Sequence, residues 1–426
     1  MSNKIYKRIL IKKIKNWLER PEIIVITGSR QTGKTFLSRK ILPQITTKPI
    51  KYFNFEDFEL RELFKNNPKE FVSNISDKKN IYVFDEFQKM PEFTSSLKVL
   101  YDQDKDNLPK IFLTGSSSPE IQKKISQSLA GQCIVFNLFS LSFLEKYSFE
   151  EKDFLTALSS SHQKFKIESL KKDIFFVQTE IKKKFNEYLL QGGYPELGEL
   201  EEDQRWEKLK SIIQTILEKD LQSLVKSEHL FSSKKLLEIL AFRTGNLVSF
   251  ENLASEMQLN IKTIRSLTAI LEGLFFIELI YPQAGFANEY KKAPKVYFHD
   301  SGLRNELMKM RNLPPDNTQT GSMVENFVFM QLKRYSAYKQ DFKINYWQDY
   351  NKNEVDFVLS RGNNLISIEV KYRKGQDGKL SAGVKNFIER YHPQFHITAT
   401  HDYFGSTEFG GCKIYFIPAY TFGLVV

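Results

Sequence analysis

The sequence predicts an α/β protein of several domains, and three observations lead to this prediction. Short apolar runs alternate with helical patterns through the first third of the chain, which is typical of a parallel sheet covered by helices. The glycine-rich stretch GSRQTGKT directly follows the first of these runs. Residues 318–426 give the pattern helix, three strands, helix, strand, which indicates a second, smaller α/β unit. A chain of 426 residues is too long for one ordinary core, so several domains are expected.

The composition is that of a folded protein in a reducing compartment. Hydrophobic residues make up 41% of the chain and 36 residues are Phe, which excludes a largely disordered protein. The two cysteines, Cys133 and Cys412, lie far apart, which argues against a disulfide framework, a zinc site or secretion. No run reaches the roughly 18 apolar residues of a spanning helix, so we expect a cytoplasmic protein with no membrane partner. The basic start of the chain is interpreted as an amphipathic helix packed on the first domain, and its binding to a membrane surface stays open. The net charge of +11 favours polyanionic partners, although an AT-rich genome that favours lysine would also explain it.

The stretch from Gly28 to Thr35 matches the pattern G-x-x-x-x-G-K-[ST] between a strand and a helix. Its glycines let successive backbone N–H groups turn towards phosphate oxygens, and the helix that follows presents its positive end. In this pattern Lys34 binds the β- and γ-phosphates and the Thr35 hydroxyl ligates Mg²⁺. We therefore predict a P-loop NTPase core that binds ATP through Gly28, Ser29, Arg30, Gln31, Thr32, Gly33, Lys34 and Thr35.

The stretch IYVFDEFQ, residues 81–88, places two acids at the end of an apolar strand. Parallel strands end at the same edge of a sheet, so Asp85 and Glu86 should lie beside the phosphate loop. We expect Asp85 to hold Mg²⁺ and Glu86 to orient and deprotonate the water that attacks ATP. Alone, the two residues would be interpreted as a surface acidic pair, but the nearby phosphate loop favours the catalytic interpretation.

Three further runs complete the first domain. IKYFNFED and CIVFNLF are interpreted as strands, and KIFLTGSSS, from residue 110, as a buried strand that ends in polar residues. A polar side chain at this strand end, such as Ser116, would lie beside the γ-phosphate. A second interpretation, in which these serines only keep a loop solvated, stays open.

The middle of the chain is predicted to be helical. Residues 146–230 are rich in lysine and leucine at helical spacing and break at QGGYPEL, so we expect a helical lid over the nucleotide. Three short helices are expected within residues 234–281, at 234–243, 249–258 and 260–277, with Ser249 and Asn260 as N-caps of the second and third. A contact with DNA would use the residues that face outward at the start of the third helix, Lys262, Thr263, Arg265 and Ser266. A role of this unit in binding proteins is equally open.

Residues 318–426 place acidic side chains and a lysine on neighbouring strands. Asp356 lies on the second predicted strand, while Glu369 and Lys371 lie two apart on one face of the third. Two carboxylates can chelate Mg²⁺, and a lysine beside them can lower the pKa of the water that attacks a phosphodiester. Solvated charges on a strand face would give the same residues, so both interpretations are kept.

The chain resembles prokaryotic AAA+-type ATPases in which an ATPase core, a winged-helix segment and a C-terminal restriction-endonuclease-like domain share one chain. The resemblance covers nearly the whole length and rests on GSRQTGKT, VFDEFQ, FLTGSSS, SLAG, YLLQGGYPE, KVYFHDSGL and EVDFVL…IEVKY. With it, the predicted domains are an AAA+-like core (1–145), a helical lid (146–230), a winged-helix-like domain (231–317) and a PD-(D/E)xK nuclease-like domain (318–426).

The resemblance also assigns a role to Glu325. It implies that Glu325 is the helix acid of a PD-(D/E)xK site that also contains the metal ligands Asp356 and Glu369 and the catalytic Lys371. Val355 departs from the pattern, which has proline at that position. A capping box from Ser322 to Glu325 is an alternative, and such domains also occur as inactive DNA-binding or assembly modules.

Members of this family commonly have arginines at two positions where this chain has Gln132 and Lys219. An arginine from a neighbouring subunit can accelerate nucleotide hydrolysis by about 10³-fold or more. The resemblance therefore implies a homo-oligomer, either a ring or a dimer. The two replacements imply hydrolysis that is slow or differently triggered.

Two functions follow from these interpretations. The first is an ATPase that acts on or with DNA, in which hydrolysis rearranges the lid and the C-terminal domain grips or cuts DNA. The second is a nucleotide-dependent switch for protein assembly, whose C-terminal domain is a catalytically inactive binding module. The response of ATP turnover to DNA distinguishes the two.

Overall fold

The first five strands form one parallel sheet. In the computed structural model they pair in the order β2-β3-β4-β1-β5, and every pair is parallel. Their bounds are β1 (Ile23–Gly28), β2 (Ile50–Asn54), β3 (Ile81–Asp85), β4 (Lys110–Ser116) and β5 (Cys133–Asn137). All five predicted strands are confirmed, and β3, β4 and β1 are neighbours that end at one edge. The structure describes residues 5–75, 77–116, 125, 127–161, 165–283, 292–314, 318–375 and 378–425.

Both faces of this sheet are buried. Ile24 and Ile26 of β1 belong to one hydrophobic core, and Ile23 and Val25 belong to another. Because successive side chains of a strand point to opposite faces, a strand covered on both sides is apolar throughout. The helices of this part are α1 (Leu10–Lys15), α2 (Lys34–Phe36), α3 (Phe58–Asn66), α4 (Pro68–Ser73) and α5 (Glu92–Asp104), with a π-helical turn (Leu37–Ile41) continuing α2.

A helical segment follows the sheet. It contains α6 (Phe143–Tyr147), α7 (Phe154–Ser161), α8 (Ile167–Phe175), α9 (Gln178–Gln191) and α10 (Glu202–Thr215). Helix α9 ends at Gly192, whose φ of 68° is left-handed and whose added Cβ would lie 2.1 Å from Asp300 Oδ1. Only glycine combines this backbone conformation with so close an approach. The predicted break at QGGYPEL is therefore also a contact with a later part of the chain.

Three helices and a two-stranded antiparallel sheet come next. They are α11 (Ser227–Phe242), α12 (Phe250–Met257), α13 (Ile261–Gly273), β6 (Ile277–Ile280) and β7 (Lys295–Phe298). Both predicted N-caps are confirmed, because Ser249 accepts a hydrogen bond from Asn252 N and Asn260 accepts one from Lys262 N. Helix α13 ends earlier than predicted. Phe275 has a left-handed φ of 60° and Ile277 already belongs to β6.

The last part of the chain contains a six-stranded mixed sheet in the order β12-β13-β11-β10-β9-β8. Its elements are α14 (Ser301–Leu307), α15 (Thr318–Tyr338), β8 (Lys343–Gln348), β9 (Glu354–Arg361), β10 (Asn364–Lys371), α16 (Ala382–Tyr391), β11 (Phe395–Thr400), β12 (Gly405–Phe409) and β13 (Cys412–Pro418). Strands β11 and β12 were not predicted. In β11 the polar side chain of His396 lies 2.9 Å from Ser367 Oγ and 3.1 Å from Thr398 Oγ1, so polar residues are buried by pairing with one another.

One hydrophobic core joins the first and last parts of the chain. It contains Ile26 of β1, Phe327 of α15 and Val425 near the C-terminus. The final 3-10 turns, Ala419–Leu424, contact α6, α9 and α15. The predicted domain boundaries at residues 145 and 230 fall within α6 and α11, and the division into four domains stays a prediction.

Candidate functional site

The predicted phosphate loop joins β1 to α2 through residues with positive φ. Gly28 has a φ of 155°, and a Cβ there would lie 2.3 Å from the Leu138 carbonyl oxygen. Gly33 has a φ of 98° and Gln31 one of 59°. The Thr32 hydroxyl closes the loop by donating to the Ser29 carbonyl oxygen at 2.9 Å. These conformations turn the backbone tightly and explain why glycine is needed at its two ends.

Lys34 is the first residue of α2, and its side chain folds back over the phosphate loop. Its ammonium group is buried and donates to the carbonyl oxygens of Gly28 at 2.9 Å and Ser29 at 2.7 Å. Burial lowers the pKa of Lys34 to about 8, although the carboxylates of Glu86 and Asp85 oppose this shift. The lysine thus lies between the loop and the two predicted acids, and a phosphate group would take over its two carbonyl contacts.

Asp85, at the end of β3, is held by three hydroxyl groups. It accepts hydrogen bonds from Thr35 Oγ1 at 2.7 Å and from the hydroxyls of Tyr52 and Thr114. Mg²⁺ prefers oxygen ligands, and the Thr35 hydroxyl and the Asp85 carboxylate meet where both can face one small ion. The residues present therefore fit Mg²⁺. Tyr52 and Thr114 would fix the orientation of the carboxylate.

Glu86, the predicted base, is linked to Ser116 by a side chain that the sequence did not single out. The Gln88 amide donates to the Glu86 carboxylate and, at 3.0 Å, to Ser116 Oγ. A Cβ at Gly115 would lie 2.2 Å from Gln88 Oε1, so the glycine makes room for this link. Burial raises the pKa of Glu86, which makes it a stronger base than an exposed glutamate.

Two contacts connect the phosphate loop to the helical segment. Arg30 Nε lies 2.7 Å from Asp220 Oδ2, and Ser29 Oγ lies 3.2 Å from the Tyr194 hydroxyl. Both partners come from far along the chain, so these contacts could not be predicted from local sequence patterns. The phosphate loop is therefore in direct contact with residues 194 and 220.

Gln132 and Lys219, the two positions at which the resemblance leads us to expect arginine, are not equivalent in the structure. Gln132 is buried and donates to the Asp102 carboxylate of the same chain. Lys219 is exposed and directly precedes Asp220, the partner of Arg30. An exposed cation at residue 219 is accessible to another molecule, whereas the buried amide at residue 132 is not.

The four residues of the nuclease-like pattern lie on the expected elements. Glu325 is on α15, Asp356 on β9, and Glu369 and Lys371 on β10. Lys371 Nζ lies 2.7 Å from Glu369 Oε1, and Asp356 Oδ2 accepts a hydrogen bond of 2.8 Å from Val370 N. Burial raises the pKa of Glu369 to about 8 and that of Glu325 to about 7. Oε2 of Glu369 is buried with no hydrogen-bond partner within the described residues.

A lysine from outside the predicted nuclease-like domain lies among these acids. Lys295, the first residue of β7, has its ammonium group 3.3 Å from Asp356, 3.4 Å from Glu325 and 3.4 Å from Glu354. The described part of the chain contains no group of three or more His, Cys, Asp or Glu residues placed to hold a metal ion. In this arrangement Glu325, Glu354 and Asp356 do not fit a divalent metal, because the Lys295 ammonium group already lies between them.

The start of α13 presents the side chains predicted to face outward. Lys262, Arg265 and Ser266 are exposed and Thr263 is half-buried, while Ile264 lies in the core. The Arg265 guanidinium packs 4.5 Å from the centre of a phenylalanine ring at residue 250. A basic, accessible helix start is thus present on this part of the surface.

Three successive parts of the chain match models of protein families. Residues 20–147 match the model of an AAA domain. These residues are similar to AAA domains. Residues 182–314 and 320–420 match two further models, each described as a domain of unknown function. The candidate ATP site lies within the AAA domain, and Lys295 and the acids around it lie in the two uncharacterised domains.

Similar proteins are known from archaea and bacteria. An uncharacterized protein of Methanocaldococcus jannaschii is 28% identical over 385 residues, which cover 88% of this chain and 79% of that protein. An uncharacterized protein of Haemophilus influenzae is 23% identical over 417 residues, covering 93% of each chain.

Among solved structures, the Thermotoga maritima RuvB Holliday junction branch migration motor matches with a TM-score of 0.31 and 13% identity. This match covers 64% of the present chain and 89% of RuvB. The Aeropyrum pernix ORC1 protein in complex with DNA matches with a TM-score of 0.28 and 12% identity, covering 72% and 94%. Within the residues described, no helix has the length and apolar character needed to cross a bilayer.

Proposed function

We propose that the chain binds ATP at Gly28–Thr35, hydrolyses it with Mg²⁺, and does so while acting on DNA. The main support for hydrolysis is that Lys34, Asp85 and Glu86 meet at the edge where β1, β4 and β3 end. This is the edge at which parallel sheets bind their ligands. The match to an AAA domain over residues 20–147 agrees with this location.

Each of these residues has a role in the proposed reaction. Lys34 exchanges its carbonyl partners for oxygens of the β- and γ-phosphates and offsets their charge. Thr35 and Asp85 would hold Mg²⁺, which offsets further phosphate charge when bound. Glu86 accepts a proton from the water that attacks the γ-phosphorus, and its raised pKa suits this task. The bond to the β-phosphate oxygen breaks, and ADP and phosphate are released.

The proposal that the protein acts on DNA rests on charge. The chain has a net charge of +11, and exposed Lys262 and Arg265 lie at the start of α13. A helix start with cationic and hydroxyl side chains suits contact with phosphates or base edges. We propose that the contacts of Arg30 with Asp220 and of Ser29 with Tyr194 couple the ATP site to the rest of the chain.

ATP turnover measured with and without duplex DNA at two salt concentrations tests this function. We expect DNA to stimulate turnover and the stimulation to fade at higher salt, because phosphate contacts release counterions. The double variant Lys262→Ala/Arg265→Ala should lose most of the stimulation and keep its basal turnover. A matched control is Lys69→Ala/Lys98→Ala, which removes two exposed charges from the AAA domain. ATP turnover that DNA does not change in any variant would contradict action on DNA. The proposal that the chain hydrolyses ATP would be unaffected.

We also propose that the protein self-associates when ATP is bound. An arginine from a neighbouring subunit can supply about 10³-fold or more in nucleotide hydrolysis, and exposed Lys219 lies beside the partner of Arg30. Sedimentation velocity should therefore show stronger association with ATP than without it, most clearly in a variant that binds ATP but hydrolyses it slowly. A strict monomer under both conditions with full turnover would contradict self-association.

A second function is favoured by the position of Lys295. Because its ammonium group lies among the acids of the nuclease-like pattern, the C-terminal part would serve as a binding module and not as a nuclease. The protein would then be a nucleotide-dependent switch for protein assembly. The absence of any response of ATP turnover to DNA would favour this second function.

A further inference from the structure

The cluster formed by Glu325, Glu354 and Asp356 is called the acid centre here. Lys295 Nζ lies 3.3 to 3.4 Å from a carboxylate oxygen of each member. The side chain of Lys295 is only 2% exposed, and those of Asp356 and Glu325 are 10% and 16% exposed. One buried cation therefore faces two largely buried carboxylates and the carboxylate of Glu354, which is 39% exposed. Buried charges of this kind are stable only when they are paired.

Lys295 is held in this position by its backbone and by its neighbours. Residue 295 pairs with Ile280 in the β6–β7 sheet and forms an isolated bridge with Leu247. Two residues further on, the Tyr297 hydroxyl donates to Glu325 at 2.6 Å. The next residue, Phe298, donates its N–H to Asn326 on α15 at 2.7 Å. Strand β7 is thus fixed against α15, and the lysine enters the acid centre from a rigid element.

Electrostatics favours the charged form of this lysine. Burial alone would lower the pKa of Lys295, but the carboxylates of Glu325, Asp356 and Glu354 outweigh it and raise the pKa above its usual value. The ammonium group and a divalent metal ion would need the same oxygens, since both are bound by converging carboxylates. Glu369, the other predicted metal ligand, pairs with Lys371.

We propose that the ammonium group of Lys295 takes the place of a divalent cation in the acid centre. The acid centre then holds β7 against the C-terminal sheet through ion pairs with Lys295. It does not bind a catalytic metal. This inference is independent of the ATP site, because none of these residues contacts the phosphate loop. Lys295 is the first residue of the KVYFHDSGL stretch, so this stretch has a structural role.

Manganese binding and thermal unfolding of the full chain without nucleotide test this proposal. Wild type and Asp356→Asn should bind the same number of Mn²⁺ ions by electron paramagnetic resonance, because the acid centre takes none. Lys295→Met should unfold at a temperature several degrees lower, since it removes the cation that faces the buried carboxylates of Glu325 and Asp356. Mn²⁺ should restore part of this loss and add one bound ion, and a second change, Asp356→Asn, should remove both effects.

Lys110→Met is the matched control. Lys110 is also a buried strand lysine, but it donates to the carbonyl oxygens of Arg20 and Glu22 and has no acid centre around it. This variant should lose stability without any recovery in Mn²⁺. If Lys295→Met does not fold, the comparison of wild type with Asp356→Asn still decides. A Mn²⁺ ion bound by wild type and lost in Asp356→Asn would overturn the proposal. Metal-dependent plasmid nicking that Asp356→Ala abolishes would overturn it as well.

Discussion

Replacing Lys34 by alanine should abolish ATP binding at the phosphate loop. The change removes the buried cation that lies between the loop carbonyls and the carboxylates of Asp85 and Glu86. Hydrogen bonds to charged groups contribute about 1.5–3 kcal/mol each, so losing those to two phosphates weakens binding by about 10²-fold or more. Titration calorimetry with ATP and Mg²⁺ measures this loss, and turnover should fall to background.

Lys110→Ala is the control that distinguishes loss of the nucleotide site from loss of protein stability. Lys110 is buried in the same sheet, donates to two carbonyl oxygens as Lys34 does, and also has its pKa lowered to about 8 by burial. It lies at the start of β4, at the opposite edge from the phosphate loop. This variant should be destabilised and still bind ATP. Equal ATP affinity in Lys34→Ala and wild type would show that the loop is not the nucleotide site.

Replacing Glu86 by glutamine should leave ATP bound and nearly stop its hydrolysis. The amide keeps the shape of the side chain and its contact with Gln88 but cannot take the proton of the attacking water. Loss of a general base costs about 10²–10⁴-fold in rate, while the dissociation constant for ATP should change by only a few-fold. Single-turnover phosphate release and equilibrium binding of ATP measure the two quantities separately.

Glu92→Gln, an exposed change at the start of α5, is the control for this variant and should hydrolyse ATP normally. The pH dependence gives a second readout. Because burial raises the pKa of Glu86, wild-type turnover should fall on acidification at a higher pH than an ordinary glutamate would give. Glu86→Gln should lack this dependence in its residual rate. Equal losses of binding and turnover would make Glu86 a structural residue and not the base.

The sequence predicted the parts of the molecule in which neighbouring residues determine the structure. The phosphate loop is one continuous motif, and Asp85 is the last residue of its strand, so both could be placed before the sheet order was known. The N-caps Ser249 and Asn260 are equally local, since each bonds to a backbone N–H two or three residues ahead. Such contacts depend only on the local backbone.

Contacts between distant residues were not predictable in the same way. Arg30 and Asp220 are 190 residues apart, and Lys295 and Asp356 are 61 apart. Nothing in a single sequence indicates which lysine will lie among a given set of acids. The end of α13 was missed because the apolar stretch after Gly273 suits a helix or a strand equally well. Strand β11 was missed because its polar residues satisfy one another inside the sheet.

The KVYFHDSGL stretch shows what the structure adds to a recognised motif. Lys295 and Tyr297 contact the acid centre, and Asp300 accepts hydrogen bonds from Gly193 N at 2.9 Å and from Gly302 N at 2.9 Å. The stretch therefore joins the acid centre to the glycine pair that ends α9. The sequence marked it as a motif, but its role became visible only when its partners were known.

We propose that this chain hydrolyses ATP at the edge formed by β1, β4 and β3. Phosphate release from ATP by the purified full-length chain, with Mg²⁺ and with the metal chelated, tests it most directly. We expect release that requires the metal, and that disappears in Lys34→Ala and in Glu86→Gln but persists in Lys110→Ala and Glu92→Gln. The absence of ATP binding and turnover in wild type, or equal release by all these proteins, would contradict it.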